Sequence, residues 1–322
     1  MSGPAPPAVT VVAVVGPTAT GKSDLGVELA LRLGGEVVSA DASQLYRGMD
    51  IGTAKLPVPA RRGVPHHQLD VLDVTAEASV AAYQRHARAD VEAILSRGRV
   101  PLVVGGSGLY VRAALDRLDI PPTDPEVRRR LEGRAEREGT PALLAELRRL
   151  DPRAAAAIEP NNTRRVVRAL EVVELTGHPF SATLPDREFV RPTLVIGLRM
   201  DRGSLDARIE ERTRRMFDAG LVEETRGLLG RGLRDGRTAS RAVGYAQALA
   251  VLDGAMSLEE AVADTATRTR RLVRRQESWF GADPRVHWVE AARPDLADHV
   301  GALVEAVRAR TRGRGWDDGA HG

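Results

Sequence analysis

The first apolar run of the chain, residues 9–15 (VTVVAVV), is nearly continuous and β-branched, the pattern of a strand buried on both faces of a parallel sheet. A glycine-bearing segment interrupts it at 16–23, and the stretch from there to about Leu33 predicts a helix. Residues 36–40 predict a second strand that ends at Asp41. Between 79 and 97, Tyr83, Ala87, Val91, Ile94 and Leu95 fall on one side of a 3.6-residue period and predict a helix. Residues 100–104 form a third buried strand, closed by Gly105, Gly106, Ser107 and Gly108. Strands and helices alternating in this rhythm predict a doubly wound α/β core.

The pattern changes at Pro121-Pro122. From 124 to about 176 it is helical and rich in arginine, with no strand signal, and residues 193–198 (TLVIGL) then return to strand character. Long helices follow Asp201, then a short strand at 286–289 and a last helix to about Arg310. The expected organisation is an α/β core at 9–120 and 190–311, a helical module inserted at 121–189, and a disordered tail at 313–322. No internal repeat is visible.

Composition narrows this picture. Aromatic residues are only 3% of the 322, so the core must be built from Val, Leu and Ala. The absence of cysteine excludes disulfides, a thiol nucleophile and Cys-ligated zinc. Residues 1–8 lack a charged segment ahead of an apolar one and do not read as a signal peptide. The apolar run after them is far shorter than the roughly 20 residues of a membrane span. These features predict a soluble, cytoplasmic chain with no membrane partner, read here as a monomer. The formal net charge is only +3, so nucleic-acid binding has to come from local patches. Lys22 and Lys55 are the only lysines in a strongly arginine-biased chain, which draws attention to both.

Lys22 lies in Gly16-Pro17-Thr18-Ala19-Thr20-Gly21-Lys22-Ser23, which fits G-x-x-x-x-G-K-[ST] at every fixed position, with a strand before it and a helix after it. The glycines let consecutive backbone N–H groups curl toward an anion, and the helix N-terminus adds partial positive charge. Lys22 reaches the phosphates, and the Ser23 hydroxyl suits Mg²⁺. The core is therefore expected to resemble P-loop NTPases. The loop alone leaves the phosphate ligand open, since NTPases, kinases and some transferases share it. Asp41 is then a Mg²⁺ ligand, a base for a hydroxyl, a base for an amine, or a turn cap. A small-molecule kinase is one reading, though it leaves the arginine-rich module unexplained.

Taken together, the motifs resemble the tRNA dimethylallyltransferases, bacterial isopentenyl transferases that modify an adenosine beside the anticodon. The resemblance is carried by GPTATGKS at 16–23, SADASQLYRGMDIGTAK at 39–55 and GGSGLY at 105–110. It extends through PNNTRRVVRALEV at 160–172, RIEERTRRM at 208–216, AVGYAQ at 242–247 and TRRLVRRQESWF at 269–280. It implies that the loop 16–23 holds the diphosphate of dimethylallyl diphosphate, with Mg²⁺ on Ser23, and that the five-carbon group passes to N6 of adenine with release of diphosphate. Asp41 would accept an N6 proton, Arg212 would clamp the phosphates, and Ser107, where much of the family has Thr, would bond the bridging oxygen. A simple turn residue remains the alternative for Ser107.

The implied partner is the tRNA anticodon stem–loop, whose target base must leave its stack. The segments implied to meet it are Asp41, Ala42, Ser43 and Gln44, with Ser107. On the inserted module they are Arg129, Arg164, Arg165, Val166, Val167 and Arg168. Further along they are Arg241, Gly244, Tyr245, Arg274, Arg275 and Gln276. Arg268, Arg271 and Arg275 share one helical face, and Trp279 and Phe280 follow as candidate stacking rings, yet a solvated arginine face and a core tryptophan remain equally open. His66 and His67 lack other ligand-spaced residues and read as ordinary packed histidines. Lys55 carries no derived role beyond pairing with an acidic neighbour.

Overall fold

The computed structural model describes residues 9–180 and 187–312. The chain forms two compact units, one made of residues up to Leu115 and from Phe189 onward, the other of Asp116–Glu188. The second unit thus opens at Asp116, directly after a core helix that ends at Leu115, a few residues before the prolines that mark it in sequence. The segment 313–322 lies outside the described residues.

The first unit is built on a six-stranded parallel sheet. In chain order its strands are β1 Val11–Val15, β2 Gly35–Ser39, β3 His66–His67, β4 Val100–Gly105, β5 Thr193–Arg199 and β6 Val286–Glu290. They lie in the order β3-β2-β4-β1-β5-β6, and every pairing is parallel. Helices α1 Lys22–Leu33, α2 Val80–Ser96 and α3 Gly108–Leu115 make the early crossovers. The fold is that of the P-loop proteins, with β1 central and α1 springing from the loop behind it. The central strands are fully buried, β1 being covered along all five residues, as strands covered on both sides must be. Leu25, Leu29, Val104, Ile196 and Leu198 pack with β1 in one core. The edge strand β3 is two residues long, paired to Val37 and Val38, and too short for any periodicity to announce it.

The C-terminal part of the first unit comprises α8 Arg202–Asp218, α9 Leu221–Leu229, α10 Tyr245–Leu252, α11 Leu258–Gly281 and α12 Leu296–Arg312. Ser257 and Glu260 form a reciprocal capping box at the start of α11. A second core gathers Tyr46, Met49, Phe217, Leu221, Leu228 and Tyr245.

Among the described residues the regular elements of the second unit are helices: α4 Pro125–Glu138, α5 Thr140–Leu150, α6 Pro152–Ala157 and α7 Thr163–Thr176. Leu131, Leu143, Leu147, Val166, Val167 and Leu170 form its core. Glu171 is fully buried there, accepting hydrogen bonds from Arg128 (2.7 Å), Arg168 (2.8 Å) and the Asp124 N–H (3.0 Å). Burial pushes its carboxyl up, but the bonds from Arg128, Arg168 and Asp124 outweigh this and hold it below the usual range. Two expectations are corrected here. Val166 and Val167 are core residues and present no side chain to RNA. Arg168 is committed to Glu171 and to the carbonyls of Pro121 and Pro122, so it shapes the module rather than lying free for phosphate. Arg164 and Arg165 are exposed and their side chains have no partner among the described residues, and Arg129 is exposed as well.

Candidate active site

The sheet register decides which loops meet. Val15 is level with Gly105 on one side and Gly197 on the other, and Ser39 is level with Val104. The carboxyl ends of β2, β4 and β1 therefore finish together, and ligands of open α/β sheets bind at such an edge. The loops that leave it carry 16–23, Asp41 and Ser107.

The phosphate loop is fixed by its own sterics. Gly16 has φ of 132°, and a Cβ there would lie 2.5 Å from the Leu198 carbonyl oxygen, so only glycine fits beside β5. Within the loop, Thr20 Oγ1 donates to the Pro17 carbonyl (2.8 Å) and Lys22 Nζ donates to the same oxygen (2.6 Å). Thr18 is held from two sides: its N–H donates to Gln276 Oε1 (2.9 Å), and its hydroxyl accepts from Arg212 Nη1 (2.7 Å). The N–H groups of Ala19, Thr20, Gly21, Lys22 and Ser23 have no protein acceptor among the described residues. With α1 behind them they form the anion cradle that the sequence pattern requires.

Asp41 stands directly after β2. Its Oδ1 accepts from the Ser43 N–H (2.9 Å), the short turn that fixes the side chain, and its Oδ2 has no protein partner among the described residues. The carboxylate is close enough to Lys22 and Arg212 to attract both. Burial lowers the Lys22 ammonium from its ordinary value to about 7, helped by Arg212 and opposed by Asp41. Burial likewise lowers Arg212, with Asp41 opposing. Ser107 Oγ accepts from the Ala42 N–H (3.1 Å), leaving its hydroxyl proton uncommitted among the described residues, next door to Asp41. Asp41 thus feels the charges of Lys22 and Arg212, and Ser107 is fastened to the residue that follows it.

The loop behind Asp41 is fastened on both flanks. Gln44 donates to the Thr53 carbonyl (3.2 Å) and accepts from Ser39 (3.3 Å), so its amide scaffolds the loop and keeps only one further proton and lone pair for a base edge. Lys55, with 2% of its side chain exposed, donates to Asp50 (2.6 Å), Asp70 (2.6 Å) and the Tyr46 carbonyl (3.0 Å). Opposite it, Glu224 accepts from the Asp50 and Ile51 N–H groups and, at 2.5 Å, from the Tyr245 hydroxyl. Tyr245 is fully buried and Gly244 is buried beside it, which corrects their assignment to an RNA surface; Arg241 alone of that group is exposed.

Helix α11 also divides differently from expectation. Arg274 and Arg275 are exposed and have no hydrogen bond or ion pair to a described residue. Arg268 and Arg270 are tied to Asp264 and Glu210. Gln276 is a correction: it turns inward, and its amide nitrogen donates to the Gly106 carbonyl (3.0 Å) while its oxygen takes the Thr18 N–H. Val273 and Phe280, three before and four after it, are buried, a helical stripe that marks position 276 as inward-facing. Trp279 is 40% exposed with its ring against Gly108, and Phe280 is core. His67 bonds Glu36 (2.7 Å) and His66 bonds the Val64 carbonyl (2.8 Å), and no group of three or more His, Cys, Asp or Glu among the described residues could hold a metal ion. A cavity of about 460 Å³ lies between α8 and α11, lined by Glu210, Arg214, Leu258, Val262 and Arg270, but no residue of the phosphate loop borders it.

Known proteins resemble this chain in sequence and in fold. The IPP transferase family model matches residues 44–283, and the isopentenyl transferase model matches residues 9–61. A tRNA dimethylallyltransferase of Thermobifida fusca is 60% identical over 300 residues, covering 92% of this chain and 94% of that one. One from Streptomyces avermitilis is 59% identical over 294 residues, covering 91% and 94%. The solved full-length tRNA isopentenylpyrophosphate transferase of Bacillus halodurans matches with a TM-score of 0.69 at 39% identity, over 94% of this chain and 98% of that one. A solved eukaryotic dimethylallyltransferase acting on tRNA matches with a TM-score of 0.78 at 25% identity, over 92% and 78%. With a phosphate loop, a strand-end carboxylate and a serine hydroxyl leaving the same edge of the sheet, and relatives at this identity along its length, the chain belongs to the tRNA dimethylallyltransferase family of isopentenyl transferases.

Proposed function

We propose that this enzyme transfers the dimethylallyl group of dimethylallyl diphosphate to N6 of the adenosine immediately 3′ of the anticodon in tRNA, releasing diphosphate. The observation that carries this reading is the convergence of Asp41 on Lys22 and Arg212, with Ser107 bonded to the Ala42 amide beside it. In the reaction the allylic C1–O bond breaks as the N6–C1 bond forms, and negative charge grows on the departing diphosphate. The free amides of 19–23, Lys22 and Arg212 stabilise that charge where it develops; a single donor of this kind is worth about 3 kcal/mol. The Ser107 hydroxyl is available to the bridging oxygen. The N6 lone pair is conjugated into the purine ring and nucleophilically weak. Asp41 Oδ2 accepts an N6 proton and aims the amine at carbon, while Oδ1 stays on the Ser43 amide.

The donor set suits Mg²⁺: a Ser23 hydroxyl in the first turn of α1, with diphosphate oxygens and waters completing a shell that Mg²⁺ only partly surrenders to protein. The metal would supply charge neutralisation to the leaving group. The exposed Arg129, Arg164 and Arg165 of the helical unit, and Arg241, Arg274 and Arg275 of the α/β unit, are the cations offered to RNA phosphates. No described helix is long and apolar enough to cross a membrane. The enzyme is read as a cytoplasmic monomer. Incubation of the protein and bulk tRNA with labelled dimethylallyl diphosphate, and separately with labelled ATP, tests the function. Label in tRNA from the prenyl donor supports it; phosphoryl transfer from ATP to a small metabolite, with no prenylation, overturns it.

A further inference from the structure

The phosphate loop after β1 is separate in sequence from the turns that carry Asp41, after β2, and Ser107, after β4; these two turns are joined by the Ala42 N–H bond to Ser107 Oγ (3.1 Å) and the Ser107 N–H bond to the Ala40 carbonyl (3.2 Å), and the pair must stand at one fixed spacing from the phosphate loop. The phosphate loop holds the diphosphate, while Ser107 addresses its bridging oxygen and Asp41 the incoming amine, so the distance from the phosphate loop to the Asp41–Ser107 pair frames the reaction. One buried side chain outside these segments ties the phosphate loop to the Ser107 turn. Gln276, on α11, is 8% exposed; its oxygen accepts from the Thr18 N–H at 2.9 Å and its nitrogen donates to the Gly106 carbonyl at 3.0 Å. Both partners sit one step from chemistry. Thr18 also receives Arg212 through its hydroxyl, and Gly106 precedes Ser107. The fit is close on the loop side as well: a Cβ at Gly106 would fall 2.4 Å from Gln276 Nε2 and 3.2 Å from the Gly16 carbonyl oxygen, so glycine there is what lets the amide in. A planar amide suits this place, since it presents an acceptor to one loop and a donor to the other across a fixed width.

We propose that Gln276 is a positioning residue that sets the spacing between the diphosphate cradle and the Asp41–Ser107 pair, rather than a contact to RNA. The inference rests on the transfer reaction proposed above. The helix that carries Gln276 presents Arg274 and Arg275 outward in the preceding two positions, so RNA phosphates seated on those arginines would press on the same turn that holds the two loops together. Misplacement of reacting groups by about 1 Å costs on the order of a hundredfold in rate, whereas the two binding sites, each intact in its own loop, lose little.

The test compares wild type with Gln276→Met and Gln276→Ala. Methionine fills the same space with neither bond, which keeps the variant folded if alanine leaves a cavity. Single-turnover transfer from dimethylallyl diphosphate to tRNA should fall about tenfold to a hundredfold in Gln276→Met. Affinity for inorganic pyrophosphate and for an anticodon stem–loop RNA should stay within about threefold. Gly106→Ala should cause a similar loss, and the double variant should be little worse than either single one, because each breaks the same link. Transfer within twofold of wild type in a folded Gln276→Met protein overturns the inference. So does a loss confined to stem–loop affinity with the single-turnover rate preserved, which would return Gln276 to RNA contact. A wild-type protein that transfers no prenyl group would instead refute the function proposed above.

Discussion

Lys22 supplies a prediction with a number in it. Its ammonium, lowered by burial and by Arg212 to about 7, loses its proton in the range where the enzyme would work, yet a bound diphosphate should return it to the charged state. Affinity of the free enzyme for pyrophosphate or dimethylallyl diphosphate should therefore fall as pH rises. With a free-protein value of about 7, the dissociation constant should rise about fivefold between pH 7 and 8, and nearly tenfold more between pH 8 and 9. Isothermal titration of the protein with dimethylallyl diphosphate across pH 6 to 9 measures this. Lys22→Met supplies the baseline that carries only the ligand's own titration, and Lys22→Arg, charged throughout, should bind less well but with a flat profile. The linked effect on stability has the opposite direction. An unfolded lysine, at its ordinary value of 10.5, holds its proton between pH 7 and 10.5 while the folded one does not, so this residue makes the ligand-free protein more stable as pH rises through that window. Parallel pH slopes for wild type and Lys22→Met would refute the reasoning.

Two further substitutions probe the scaffold around the site. Lys55→Met leaves Asp50 and Asp70 without their shared cation; because those carboxylates are 57% and 40% exposed and can regain water, the cost should be about 1–3 kcal/mol by thermal or urea unfolding, well below that of a fully buried pair. Transfer should fall with it, since the 41–55 loop would lose one fastening, and unchanged stability would refute that role. Tyr245→Phe removes the bond to Glu224 and should cost about 1 kcal/mol while leaving stem–loop RNA affinity within about twofold; a large loss of RNA affinity on a filter-binding assay would show that the buried tyrosine reaches RNA after all.

How much of this was legible beforehand depended on whether a residue's signal was local. The phosphate loop is defined by glycines that its own backbone requires, and strand β1 and helix α1 declare themselves by pattern, so loop and context could be read together. The end of β2 at Asp41 and the turn after β4 followed from the same parallel rhythm. The two-residue strand β3 had no period to detect. Sequence and structure differ where a motif segment reads as a surface. A motif gives the order of residues and is silent about which face each one takes. Val166 and Val167 belong to the apolar stripe that includes Leu170, Tyr245 sits a turn before Ala248 and Leu249, and Gln276 lies between Val273 and Phe280; in each case helical spacing pointed inward. Arg168 was different, because its partner Glu171, one turn on, could be paired with it by spacing, but the burial of that carboxylate could not be read from a run of charges. Lys55 needed Asp70, fifteen residues away on another strand's exit, and no local pattern carries such a link.

The most direct test of the central claim is the single-turnover rate of prenyl transfer by Asp41→Asn, with dimethylallyl diphosphate and tRNA both saturating. Asparagine can still accept from the Ser43 amide but takes up a proton far less readily than a carboxylate. The rate should fall at least a hundredfold below wild type, with tRNA and pyrophosphate affinities little changed. A wild-type rate in that variant would contradict the claim, since the amine would then be activated without the carboxylate that faces Lys22 and Arg212.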